Sequence, residues 1–171
     1  MKNNTIHKYI SNLENKILNP KKGLGEEIFL FISRIIPLIN VDLLIKDKRL
    51  GILLTWRKKS ENYPAGWHVP GGMIRVNEKI YNRVIKVAKN ELGIKIIFKN
   101  KPLAVNEIHL KQKNRSHCIS LLYLCKPINK PDIRKKFKGL LPLAGQWKWF
   151  KKAPKNLIKP HKIYKKFLNS N

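Results

Sequence analysis

The sequence is short of acidic residues. Its 171 residues include 37 Lys and Arg but only 10 Asp and Glu, which gives a formal net charge of +27. Any site for a hard metal ion such as Mg²⁺ must take its charged ligands from those ten carboxylates. The basic excess favours anionic partners: nucleic acid, an acidic membrane surface or phosphorylated small molecules. Lys, Asn and Ile are frequent throughout the chain, so a coding bias is an alternative origin of much of this charge.

Cysteine and long apolar runs are also scarce. The two cysteines, Cys118 and Cys125, lie seven residues apart in a strand-like run. An extended strand separates them by roughly 23 Å and points them to opposite faces, which excludes a disulfide within the strand. The longest apolar run, Ile28–Ile36, is interrupted by Ser33 and Arg34 and is shorter than the span of about 20 residues that a bilayer requires. We expect a reduced, cytoplasmic protein without a membrane span.

Hydrophobic residues make up 43% of the chain, which favours a folded protein. Strand-like and helical patterns alternate, which indicates an α/β (α+β) sandwich. We expect an N-terminal helical extension over residues 1–36 and one domain over residues 37–171. Within the extension, Ile10, Leu13, Ile17 and Leu18 recur at helical spacing and predict a docked helix. A second helix follows Gly25 and covers Ile28–Ile36.

The rest of the chain predicts a hairpin followed by further strands and helices. A turn at Pro70-Gly71-Gly72 uses glycine's freedom in φ. The helix Glu78–Leu92 ends at the C-cap Gly93, and a final amphipathic helix follows Pro160. A loop is expected at Lys111–Ser116. The predicted strands are Leu38–Lys46, Ile52–Arg57, Ile94–Phe98, Ala104–Leu110, Cys118–Cys125 and Gln146–Phe150.

One segment carries recognisable chemistry. A glycine loop ending at Gly72 is followed after five residues by Glu78, and the next helix ends in Glu91-Leu92-Gly93-Ile94. Such a loop lets the backbone approach a metal-bound diphosphate closely. Positions 87, 90 and 91 are expected to share one helix face, and they hold Val87, Asn90 and Glu91. A single carboxylate on this face predicts one Mg²⁺ rather than several.

This segment resembles the Nudix box, in which Gly, five residues and Glu precede a helix ending in Glu-Glu-x-Gly and an apolar residue. Gly72, Glu78, Glu91 and Gly93 match, whereas Lys86 replaces the box arginine and Val87 and Asn90 replace glutamates. The resemblance implies a Nudix-like α/β/α sandwich with a mixed sheet. It also implies that Glu78 braces Lys86.

The stretch from Ile36 to Ile94 is similar to the GDP-mannose mannosyl hydrolase branch of that superfamily. The matching pieces are Pro37–Ile45, Leu53–Arg57, Tyr63–Trp67 and Val69–Gly72. This similarity implies that Glu91 and the backbone carbonyl of Gly71 bind Mg²⁺. It further implies that Arg57 and Lys86 act on the diphosphate in catalysis. Four residues would bind substrate: Asp42, Arg57, Gly72 and His117.

Two features depart from the branch. Met73 stands where the branch has an arginine, and Leu143 and Ala144 stand where a late loop supplies a glutamine and the basic histidine. The loop Gly139–Gln146 is therefore not expected to supply the general base. His68 and His109 are the alternatives.

The leading hypothesis is a Nudix-type hydrolase of a nucleotide sugar resembling GDP-mannose or GDP-glucose, which releases the nucleoside diphosphate with Mg²⁺ as cofactor. One alternative is a Nudix-fold protein that binds a nucleotide with little or no catalysis. The other is an RNA-binding relative, suggested by 14 Lys and Arg against a single acid in residues 126–171. Because relatives are often dimers, a homodimer is also expected.

Overall fold

The structure is a computed structural model that describes residues 2–60, 64–112 and 115–169. Tyr63, which belongs to one of the matching sequence pieces, lies outside these residues. The helical elements are the α-helices α1 (Lys2–Asn15), α2 (Glu26–Ile35), α3 (Ile80–Val87) and α4 (Lys165–Leu168), a π-helical turn (Ala88–Leu92) and the 3₁₀ segments Ile133–Lys135 and Lys159–Tyr164.

Eight strands of the described chain form one sheet. They are β1 (Leu38–Asp47), β2 (Gly51–Arg57), β3 (Gly66–His68), β4 (Gly71–Met73), β5 (Ile96–Phe98), β6 (Ala104–Gln112), β7 (Arg115–Pro127) and β8 (Trp147–Phe150). The main strand order is β3-β2-β1-β7-β5, while β4 pairs with β1, β6 with β7 and β8 with β2. The sheet is mixed because β1 and β7 run parallel whereas the other pairs are antiparallel.

The central strand β1 is apolar on both faces, as expected for a strand covered by helices on both sides. Leu38 and Leu44 belong to the core cluster beside α2 and α4. Val41 and Leu43 belong to the cluster on the other face, which packs against α3 and the π-helical turn. The predicted α/β/α sandwich with a mixed sheet is therefore confirmed.

The prediction for the two cysteines is confirmed as well. Cys118 lies in the cluster beside α2, and Cys125 lies in the cluster beside α3, on the opposite face of the sheet. Neither cysteine forms a disulfide in the described part of the chain, and both are buried.

The predicted N-terminal helix exists, but its predicted docking is wrong. Ile10 and Leu13 of α1 are 48% and 42% exposed, so the apolar stripe of α1 is not buried against the described chain. By contrast, α2 does pack on the sheet, with Ser33 buried and Phe29 against the core. The predicted loop Lys111–Ser116 is shorter than expected, because β6 continues to Gln112 and β7 begins at Arg115.

The predicted turn at Pro70-Gly71-Gly72 is replaced by a strand. Gly71 and Gly72 begin β4, which pairs with β1, and neither glycine has a positive φ. Glycine is required at position 71 for space rather than for conformation: a Cβ there would overlap the Oδ1 atom of Asp42. The predicted C-cap is confirmed, because Gly93 adopts the left-handed conformation with φ of 68°.

Gly71→Ala should lower the free energy of unfolding by about 1–3 kcal/mol, because overpacking forces β4 or Asp42 to move. Urea unfolding measures the change. Gly139→Ala is the matched control, since a Cβ at Gly139 meets nothing within 4 Å. Equal stability of the two variants would contradict the close approach of Gly71 to Asp42.

Candidate functional site

A cavity of about 130 Å³ opens beside strands β1 to β4. Most of its polar side chains come from different parts of the chain, which only the fold brings together. The residues relevant to chemistry are Asp42, Arg57, His68, Gly71, Gly72 and His161. Three residues predicted to bind substrate, namely Asp42, Arg57 and Gly72, are thus gathered around one cavity.

Glu91 lies in the π-helical turn and reaches the strand β4. Its Oε1 atom accepts a hydrogen bond from the backbone N–H of Gly71 at 3.0 Å, and Oε2 accepts one from the Thr55 hydroxyl at 3.1 Å. A π-helical turn inside a helix is rare and is frequent at functional sites. Thr55 was not expected to belong to the site, because its place in an apolar strand predicts only burial.

The carbonyl of Gly71 faces the same side as its N–H group. Hydrogen bonds from Leu43 N–H to the Pro70 carbonyl and from Ile74 N–H to the Ile39 carbonyl set the register of β4 on β1. In that register Gly71 and Asp42 form a non-hydrogen-bonded pair, so both polar groups of Gly71 point away from β1. The structure therefore brings together the two predicted Mg²⁺ ligands, Glu91 and the Gly71 carbonyl.

Burial raises the pKa of Glu91 to about 7, although the hydrogen bonds from Gly71 and Thr55 and the charge of Arg57 act in the opposite direction. The carboxyl is therefore poised to lose its proton near neutral pH. A cation that binds it would displace that proton.

The other two positions expected on the metal face have different surroundings. Val87 is buried beneath the loop, where a Cβ at Gly72 would lie 3.2 Å from its Cγ2 atom. Asn90 is exposed to solvent. Glu91 is therefore the one carboxylate of the three positions, and it is the one that meets Gly71.

Glu78 pairs with Lys86, as the resemblance implied, and it also joins the helix to the segment that follows β4. Lys86 Nζ lies 2.9 Å from Glu78 Oε1, while Arg83 contacts Oε2 at 2.5 Å and the backbone N–H of Arg75 donates to Oε2 at 3.1 Å. Lys86 is 57% exposed and does not line the cavity. Arg83, which the sequence analysis missed, is the more buried partner of Glu78 and lies close to Gly72.

Asp42 is buried at the cavity and bound by two hydroxyls. Its Oδ2 atom accepts hydrogen bonds from Ser120 at 2.5 Å and Tyr164 at 2.6 Å. Burial raises the pKa of Asp42, while these hydroxyls and the charge of Arg57 oppose the shift. The sequence predicted burial for Tyr164 through its place in the final amphipathic segment, but it held no signal that Tyr164 meets Asp42, 122 residues away.

Two imidazoles line the cavity. His68 Nε2 lies 3.2 Å from the Thr55 hydroxyl, so Thr55 connects His68 to Glu91. Burial and the charges of Arg57 and His161 lower the pKa of His68 well below its usual value, which keeps its ring neutral. The Nδ1 atom of His161 accepts a hydrogen bond from the Val69 N–H at 3.0 Å. Sequence reasoning gave His161 no role.

His117 lies elsewhere. Ile108 and Cys118 line the cavity and pair across β6 and β7, whereas His117 pairs with His109 at the next position. Side chains alternate between the faces of a strand, so His117 faces away from the cavity. It does not join Asp42 and Arg57, with which it was grouped as a substrate-binding residue.

The late loop contributes no imidazole to the cavity. It is instead strongly apolar and solvent-exposed, with Leu140 at 99% and Leu141 at 86% exposure. The expectation that Gly139–Gln146 supplies no base agrees with its composition and with the residues that line the cavity.

No family model matches the sequence. A curated relative, the low-salt glycan biosynthesis protein Agl8 of Haloferax volcanii, is 33% identical over 89 residues, which are 51% of this chain and 54% of that protein. The match thus spans about half the length of the relative.

Several solved structures share the fold. A MutT Nudix hydrolase from Burkholderia pseudomallei matches with a TM-score of 0.55 and 21% identity over 77% of this chain and 97% of its own. The MutT protein of Methanosarcina mazei matches with a TM-score of 0.57 and 16% identity, over 78% of this chain and 94% of its own. A UDP-X diphosphatase matches with a TM-score of 0.55 and 17% identity, over 95% of this chain and 76% of its own.

The chain therefore has the Nudix fold, in agreement with the box residues Gly72, Glu78, Glu91 and Gly93. None of the helices in residues 2–60, 64–112 and 115–169 combines the length and apolar character needed to cross a membrane.

Glu91→Gln tests the protonation of the site. A carboxyl whose pKa is raised in the folded state binds more protons in the folded than in the unfolded protein. The free energy of unfolding of the wild type therefore falls as the pH rises from the unfolded pKa near 4.5 to about 7. Gln carries no charge. Without divalent metal, the variant should gain about 2 kcal/mol relative to wild type between pH 5 and pH 8. Denaturant unfolding at both pH values measures this; a pH-independent difference would refute the assignment.

Proposed function

We propose that the protein is a Nudix-type hydrolase that uses one Mg²⁺ to release a nucleoside diphosphate from a nucleotide sugar resembling GDP-mannose or GDP-glucose. The observation that carries the proposal is the meeting of Glu91 with the backbone of Gly71 at a cavity lined by Arg57. Water would add to the anomeric carbon of the sugar, the bond from that carbon to the diphosphate oxygen would break, and the diphosphate would leave.

The donor set suits Mg²⁺. A carboxylate and an outward-facing backbone carbonyl are hard oxygen ligands, and Mg²⁺ commonly combines one or two carboxylates with water and substrate phosphate oxygens. When bound, Mg²⁺ would neutralise charge on the leaving diphosphate. Glu91 and Gly71 would hold one ion, since the other carboxyl at the cavity, Asp42, is already bound by the hydroxyls of Ser120 and Tyr164.

Arg57 would bind the diphosphate. Arg57 lines the cavity, and its charge opposes the rise in the pKa values of Asp42 and Glu91. A guanidinium in such a position can pair with two phosphate oxygens. Lys86 would act indirectly, because its ammonium group is paired with Glu78 and so helps to fix the helix below the loop.

His68 is the base that we favour for the attacking water. Its imidazole lines the cavity and is held neutral by burial and by the charges of Arg57 and His161. His68 therefore takes the place of the histidine that the late loop lacks.

The names of two similar proteins agree with a sugar nucleotide as substrate. One is a UDP-X diphosphatase and the other a low-salt glycan biosynthesis protein. They support the class of substrate, whereas the choice of guanine nucleotide rests on the resemblance of the stretch from Ile36 to Ile94 to the GDP-mannose branch.

Glu91→Gln and Arg57→Gln should each lower kcat/KM for the best GDP-hexose by about 100-fold or more, because they remove a metal ligand and a diphosphate partner. Release of GDP with Mg²⁺ or Mn²⁺ is measured across nucleotide sugars. Glu14→Gln and Arg49→Gln are exposed controls and should match wild type. No turnover of any nucleotide sugar by the wild type would refute the proposal.

His68→Gln should lower kcat by about 10²–10⁴-fold with little change in KM, the usual contribution of a positioned general base. The pH profile of kcat should lose its acidic limb in the variant. His7→Gln, on the exposed face of α1, is the control. A variant with wild-type kcat would exclude His68 as the base.

The alternative of a nucleotide-binding protein with little catalysis is favoured by the buried Val87 and the exposed Asn90, which leave a single carboxylate. Calorimetry with GDP and GDP-sugars separates the two functions. Binding that is lost in Arg57→Gln, combined with absent turnover in the wild type, would establish the binding function.

A further inference from the structure

A cluster of metal-ligating side chains lies on the hairpin of β6 and β7, away from the cavity. His109 of β6 pairs directly with His117 of β7, and Glu107 precedes His109 by two residues. Because side chains two apart share a face and paired residues lie side by side, all three project from one face of the hairpin. The opposite face carries Ile108 and Cys118, which line the cavity.

The ligand atoms of the cluster are close enough to share one ion. Glu107 Oε1 lies 3.3 Å from His109 Nε2 and 3.1 Å from His117 Nε2, and the three atoms lie within 4.8 Å of one another. A metal at about 2.0–2.2 Å from two ligands at the tetrahedral angle separates them by about 3.4 Å. Both distances to the carboxylate agree with that separation.

His117 has an unsatisfied ring nitrogen. Its Nε2 atom is buried and has no hydrogen-bond partner within the described part of the chain, although Glu107 Oε1 is only 3.1 Å away. The ring nitrogen and the carboxylate are therefore near each other without being aligned for a hydrogen bond. A cation between the two atoms would satisfy both groups at once.

The two imidazoles also hold each other in place. Their rings stack with centroids 4.5 Å apart and planes inclined by 14°. Stacking places both Nε2 atoms beside the same carboxylate, and it limits the rotations that would separate them. This hairpin face holds two of the chain's five histidines and one of its ten acids, although the net charge of +27 repels cations.

We propose that Glu107, His109 and His117 form a second metal site, selective for a borderline transition-metal ion such as Zn²⁺ over Mg²⁺. Two imidazole nitrogens and one carboxylate oxygen are a ligand set that Zn²⁺ prefers, whereas Mg²⁺ prefers oxygen ligands alone. The remaining coordination positions are open to water, since Glu107 and His109 are 59% and 69% exposed. The bound ion would tie β6 to β7, whose other face lines the cavity.

Zinc binding to the full-length protein, free of any histidine tag, tests the site. Titration calorimetry with Zn²⁺ and the visible absorption of Co²⁺ should show one ion per chain. His109→Gln and Glu107→Gln should weaken binding by at least about tenfold, as expected when a group that supports a metal is removed. Both side chains are exposed, so the variants should fold, which circular dichroism verifies.

Two control variants distinguish this site from others. His7→Gln removes an exposed histidine of α1 and should bind Zn²⁺ like wild type, as should Glu91→Gln, which removes the predicted Mg²⁺ ligand. Wild-type affinity in His109→Gln, or no Zn²⁺ binding by the wild type up to about 1 mM, a weak affinity, would overturn the proposal. The nucleotide-sugar assay plays no part in either measurement, so the two proposals stand or fall separately.

Discussion

The site depends on the placement of one short strand between two carboxyl groups. Gly71 of β4 lies against Asp42 on one side, where no Cβ fits, and donates its N–H to Glu91 on the other. The register of β4 on β1 fixes which way the polar groups of Gly71 point. Glu78 joins α3 to the segment after β4, because it contacts Arg83 of the helix and the backbone of Arg75. These contacts fix the position of α3 relative to β4.

The two carboxyl groups of the site, Asp42 and Glu91, share one electrostatic environment. Asp42 and Glu91 are both withdrawn from solvent, which raises their pKa values, and Arg57 is the positive charge that acts on both. Hydroxyl groups of Ser120, Tyr164 and Thr55 complete their hydrogen bonding. A buried carboxyl with such partners costs less to keep than an unpaired charge. Asp42, Glu91 and Arg57 therefore form one electrostatically coupled group beside the cavity.

Much of the architecture was predictable from periodicity. The apolar stretch of β1 and the repeat of Val84, Ala88 and Leu92 identified a strand and a helix that face each other across one core layer. Gly93 marked the end of the helix through its left-handed conformation. Periodicity describes burial of a face, however, and says nothing about what covers it. It therefore predicted a docked α1, whose stripe remains exposed, and it missed the π-helical turn that directs Glu91.

Residue type and spacing along the chain were enough to predict the fold class, the place of the two glycines before the helix and the single carboxylate among the three metal-face positions. These features depend on local patterns of residue type and spacing. The contacts between distant groups came from tertiary packing: Tyr164 with Asp42, His68 with Glu91 through Thr55, and His109 with His117 on a separate face. Such meetings depend on the closure of long segments of chain between residues far apart in sequence, and local patterns do not specify which of those segments come together.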